Sequence, residues 1–96
     1  METEQVQRIS RALADPTRLE LLERIAAEEE VACAALAETV CVSQPTVSHH
    51  IKELVNAGLI EARREAKFFY YRVNRRVWRE YLKEMRRRVP ARRRKS

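Results

Sequence analysis

The sequence predicts a mainly α-helical chain carrying one small β-hairpin. Three observations lead there. Apolar residues recur at helical spacing through roughly residues 3–57 and again through 75–88. Between those stretches the period changes to two, in "LIEARRE" and "FFYYRVN", runs rich in β-branched and aromatic residues. A single glycine and three prolines leave little room for long loops.

Each element has a local reason. Thr3 is placed to cap a first helix, with Val6, Ile9 and Leu13 on one face. Asp15 is a good N-cap for a second helix, and Pro16 suits the first helical position because its missing N–H costs nothing there. Leu19, Leu22, Ile25 and Ala26 form the apolar stripe of that helix. The acidic run Glu28–Glu30 opposes the negative end of the helix dipole, so a turn is expected there. "VACAALAETV" is apolar at Val31, Cys33, Leu36, Ala37 and Val40 and reads as a short third helix. Ser43 caps a fourth, with Gln44 and Pro45 in its first turn and Val47, Ile51, Leu54 and Val55 as a core face. Gly58 sits where a left-handed residue ends a helix. The two strands then flank a charged tip at Arg64, Glu65 and Lys67. Asn74 caps a last helix, "RRVWREYLKEMRRR", which Pro90 stops. Two helices joined by a tight turn across residues 33–57, followed by a basic hairpin, make a winged helix-turn-helix in the order α-α-α-α-β-β-α. Residues 1–89 form one domain, and residues 90–96 a basic disordered tail.

Charge divides the chain. Residues 1–42 hold four Lys/Arg and nine Asp/Glu, while residues 43–96 hold sixteen and five. A cationic half joined to an anionic one suggests a polyanion partner on one side, although charge alone also serves solubility. No segment approaches the roughly 18 consecutive apolar residues of a membrane span. The polar, acidic N-terminus is unlike a signal peptide, so a cytoplasmic protein with no membrane partner is expected, its two cysteines reduced.

The stretch "SQPTVSHHIKEL" poses the functional question, because two histidines adjoin in it. Adjacent residues do not share a helix face, so His49 and His50 are not a joint metal site. Nor is there an evident orienting carboxylate and nucleophile to make either catalytic, and no enzyme is expected. His50 falls beside Val47 and Leu54 and reads as a packing residue with a hydrogen bond to satisfy. Ser43, Gln44, Thr46, Ser48, His49 and Lys52 lie away from the core face. The exposed N-terminal turns thus carry short polar groups and one imidazole, the set that a recognition helix needs to reach base edges in the major groove.

"RALADPTRLELLERI", "LAETVCVSQPTVSHHIKELVNAGLIEARREAKFFYYRVN" and the last amphipathic helix together resemble the ArsR/SmtB family of winged-helix repressors, across roughly residues 5–85. The resemblance implies a homodimer built on the first and last helices, a pseudo-palindromic operator on double-stranded DNA, and release by an inducer. It places the recognition helix, 44–57, in the major groove and the wing, 59–73, on the backbone or minor groove. Arg64 and Lys67 would make the wing contacts. The dimer face would draw on Val6, Ile9, Leu13, Val77, Trp78, Tyr81, Leu82 and Met85, a large apolar surface for the two ends of a small chain.

The chain departs from the family at the usual sensor sites. Ala32 and Ala34 stand at the Cys-x-Cys positions, with Cys33 between them, and no His, Cys or Asp follows residue 75. Metals need two to four such ligands, so neither a metal nor any other cofactor is expected. Cys33 and Cys41 lie eight apart, which puts their Cα atoms about 10 Å or more apart, beyond the roughly 7 Å of a disulfide. Cys33 reads as a core thiol. Cys41, near the positive end of the recognition helix, could be reactive, which keeps a thiol/redox- or metalloid-responsive switch through Cys41 and Cys33 open as an alternative. The inducer stays unknown. A winged-helix module that binds a protein is the other alternative.

Overall fold

A computed structural model describes residues 1–40 and 42–92. Its elements are α1 (Thr3–Leu13), α2 (Pro16–Ala26), β1 (Val31–Ala32), α3 (Cys33–Val40), α4 (Gln44–Asn56), β2 (Ile60–Glu65), β3 (Phe68–Val73) and α5 (Arg75–Arg88). The mainly helical class and the hairpin stand. The order contains one strand more than periodicity suggested. Val31 and Ala32 do not begin α3 but pair antiparallel with Tyr71 and Tyr70, giving a three-stranded sheet in the order β1-β3-β2. Two residues are too few to show a period, so this strand had no signal of its own.

The caps explain most boundaries. The Asp15 carboxylate accepts the Thr17 and Arg18 backbone N–H groups, Ser43 Oγ accepts from Thr46, and Asn74 Oδ1 accepts from Val77. α1 differs: Glu2 precedes it without a side-chain cap, and Thr3 is its first residue. α4 ends at Gly58, whose φ of +85° is strained for any residue with a Cβ. The Gly58 and Leu59 N–H groups then bond back to Val55 and Leu54. The hairpin closes through a two-residue turn, Ala66–Lys67, with Glu65 opposite Phe68 and Ala66 at φ +53°.

Leu21, Leu22 and Ile25 of α2, Leu36 of α3, and Val47, Ile51 and Leu54 of α4 meet in one core with Leu59, Ile60 and Tyr71. Leu19, expected in the α2 stripe, is 40% exposed, and Leu21 takes its place. The two are two positions apart, about 200° around a helix, so they sit on nearly opposite faces. α1 and α5 run alongside each other, tied by Ser10 Oγ to the Tyr81 hydroxyl at 2.9 Å and by Arg88 to Thr3 Oγ1 at 2.9 Å.

Candidate nucleic-acid interface

The side chains of α4 divide cleanly between two faces. Val47, Ile51 and Leu54 are buried, and Gln44, Thr46, Ser48, His49 and Lys52 are exposed, as is the cap Ser43. Ser43 and Thr46 hold each other, with Oγ to Oγ1 at 2.9 Å and the Thr46 N–H on Ser43 Oγ at 3.3 Å. They therefore fix the start of the helix, while Gln44, Ser48, His49 and Lys52 form its exposed polar face. His50 is half-buried, as expected of a packing residue. The hydrogen bond expected of it is not made: among the described residues its buried Nδ1 has no partner.

The wing carries four cations in β2, the turn and β3, and they are not equivalent. Arg63 is held by Glu30 at 2.6 Å and Glu65 at 3.2 Å, and Arg72 by Glu61 at 2.9 Å. Those bonds pull the Glu30 carboxyl below the usual carboxylate range, the Arg63 guanidinium being the main cause. Among the described residues, Arg64 and Lys67 have no carboxylate partner. Arg64 Nε donates to the Ala66 carbonyl at 3.0 Å, and its guanidinium lies 5.7 Å from the centre of the Phe69 ring; Lys67 Nζ lies 5.6 Å from that of Phe68. Uncompensated charge is therefore concentrated at the hairpin tip.

A cleft of about 430 Å³ joins this tip to the start of α4, lined among others by Cys33, Gln44, Ser48, Lys67, Phe68 and Phe69. Sequence reasoning singled out Gln44, Ser48 and Lys67 separately, and the fold brings them together. It missed the two phenylalanines, 53% and 43% exposed, because "FFYY" was read only as strand-forming. Tyr71, 4% exposed, underlies the same region. Its hydroxyl lies against the Cys33 thiol and the Ser48 hydroxyl, and burial first, then Cys33, push it up to about 12. Cys33 is a free, half-buried thiol. Cys41 lies outside the described residues.

The residues expected at a dimer face fall into two groups. Ile9 is 0% exposed within its own chain, and Val6, Val77 and Tyr81 are buried too, so these four build the core and have little surface left to offer. Leu13, Trp78, Leu82 and Met85 are only partly covered. Arg87 and Arg88 clamp the buried Glu84 at 2.5 and 3.0 Å, holding its carboxyl down at about 2, with Arg87 the main cause. Of the run 86–88, Arg86 alone stays clear of that clamp. Arg92 is exposed, and the rest of the basic tail, residues 93–96, lies outside the described residues. Among the described residues, no group of three or more His, Cys, Asp or Glu side chains could hold a metal ion, and no helix is long and apolar enough to cross a membrane.

Comparison with known proteins settles the family. Residues 13–63 match a helix-turn-helix domain family. The arsenical resistance operon repressor of Staphylococcus xylosus is 38% identical over 77% of this chain and 70% of that protein. A helix-turn-helix transcriptional regulator of Methanocaldococcus jannaschii is 37% identical over 77% of this chain and 84% of its own. The chain belongs to the ArsR/SmtB family. A solved relative is the winged helix-turn-helix DNA-binding domain of a possible ArsR-family regulator from Mycobacterium bovis. It is homodimeric, with a TM-score of 0.73 and 35% identity over 85% of this chain and 76% of that one. The members of this family are DNA-binding transcriptional regulators, and this chain is one of them.

Proposed function

We propose that this ArsR/SmtB-family regulator represses transcription as a homodimer on a pseudo-palindromic operator, its α4 helices in successive major grooves. The observation that carries the reading is the shared orientation of two independent surfaces. The polar N-terminal face of α4, through Gln44 and Ser48, and Lys67, one of the two uncompensated cations of the wing, border one cleft. In this reading Gln44, Ser48 and His49 meet base edges, while Ser43 and Thr46 hold the end of the helix against the backbone, where free N–H groups favour phosphate. Lys52, Arg64 and Lys67 meet phosphates.

The half-covered Leu13, Trp78, Leu82 and Met85 would pack against a second copy, supported by their exposure here and by the homodimeric relative. A dimer is also what two half-sites one helical turn apart require. The names of the relatives, which are transcriptional repressors, favour this reading over a protein-interaction module.

The test is a fluorescence-anisotropy titration of the reduced protein into two labelled duplexes, one from upstream of its own gene and one selected by the protein from a random pool. Each is compared with a scrambled control. A preference of three orders of magnitude or so over the scramble is expected. Equal, salt-sensitive binding to all three would overturn the reading.

A further inference from the structure

We propose that Phe68 is an apolar wedge, entering the minor groove at a flexible base step and kinking the operator. The inference rests on the DNA-binding reading above and adds to it a mode of recognition that needs no hydrogen bond to a base. β2 is buried only at Ile60, so the hairpin stands out from the body, and six residues reach about 20 Å. Phe68 is the first residue after the Ala66–Lys67 turn, 53% exposed, at the very end of that projection.

What covers this ring must match its neighbours. Lys67 Nζ lies 5.6 Å from its centre, and neither Lys67 nor Arg64 has a carboxylate partner among the described residues. The occupant therefore offers anions and a flat apolar surface side by side, and a nucleic acid has both. The patch is also continuous, through the cleft with Gln44 and Ser48, with the polar face of α4. Successive strand residues point to opposite faces, so Phe69, on the side of Tyr71, faces α4 beside Ile51 and Lys52, whereas Phe68 lines only the outer cleft with Gln44 and Lys67 and keeps the more exposed ring. Apolar side chains wedged between base steps from the minor groove unstack and bend DNA, and TA and CA/TG steps yield most easily. The wing then selects such a step outside the bases read by α4.

The experiment uses a 30-base-pair duplex selected by the protein, labelled at both ends for energy transfer and carrying 2-aminopurine at successive steps. With the native chain, energy transfer rises on binding and 2-aminopurine brightens at one step per half-site. Phe68→Ala removes both signals and, with one ring lost from each half-site, weakens binding about thirtyfold or more, roughly fivefold or more for each ring. Phe68→Leu, still apolar, keeps the bend. Normal bending and affinity in Phe68→Ala would overturn the wedge while leaving the regulator reading intact. A native chain that selects no duplex would overturn both. Circular dichroism confirms that each variant is folded.

Discussion

In the proposed reading α4 and the wing meet the same partner, but the two are held in opposite ways. α4 is seated on three fully buried side chains, capped by Ser43 and ended by Gly58. The wing is anchored mainly at its base, through Ile60, Tyr71 and the Asn74 N–H to Leu59 carbonyl bond at 2.8 Å, while its tip is solvent-exposed. The wing tip can therefore be altered with little cost to folding, whereas the exposed face of α4 is held in place only while its buried face keeps its packing. A base-reading side chain needs a fixed frame, whereas a phosphate contact tolerates a looser one.

The sharpest way to break the comparison is in the core. Leu54→Ala removes a fully buried side chain under α4 and should cost about 2–5 kcal/mol in urea unfolding. In a chain of 96 residues that is a large share of the total stability, and DNA binding should disappear with the fold. Phe69→Ala in the wing should move the unfolding midpoint far less. If the two shifts were equal, the wing would be as firmly seated as α4.

Next come the exposed groups of α4. Gln44→Ala and Ser48→Ala should each weaken preference for the selected duplex by about 1–3 kcal/mol, with unfolding unchanged, as measured by competitive anisotropy against single-base variants. Loss of affinity spread evenly over all sequences would instead make these residues backbone contacts.

How much of this was legible beforehand follows the same division. The α4 core face, its Ser43 cap and the Gly58 stop were readable because each is a local rule with a residue-specific cause. β1 was not, since two residues acquire meaning only when Tyr70 and Tyr71 come alongside them. The inward turn of Ile9 and Tyr81 was also hidden. A single amphipathic stripe does not say whether its own chain or a second copy covers it. Nor could charge counting distinguish Arg63, neutralised by Glu30 from 33 positions away, from Arg64 beside it.

The caps sharpen the comparison at smaller scale. Ser43→Ala should cost about 1 kcal/mol at any pH, because the cap is uncharged. Asp15 caps α2 with a carboxylate held below its ordinary pKa, chiefly by the Arg18 N–H. Its contribution is complete above the unfolded value near 3.8 and disappears as pH falls through the lower folded one. Asp15→Asn keeps a capping oxygen while flattening that acid limb of a stability–pH curve; Ser43→Ala shifts the whole curve without changing its shape.

The smallest effect on folding and the plainest on binding belongs to the wing tip. Lys67→Ala removes an exposed cation with no carboxylate partner among the described residues, so unfolding should be unchanged. If Lys67 neutralises one phosphate in each half-site, two contacts go per dimer, and the log–log slope of affinity against salt should fall by about 1.8, that is 0.9 for each. Arg63→Ala is the matched control. Its charge is already satisfied by Glu30 and Glu65, so the salt slope should barely move, although breaking that link to the body could loosen the wing. A slope that responds equally to both substitutions would show that long-range charge, not the arrangement at the tip, governs how the wing meets DNA. A slope that responds only to Lys67 would show that the hairpin's acids screen its inner arginines and leave the tip to make the contact.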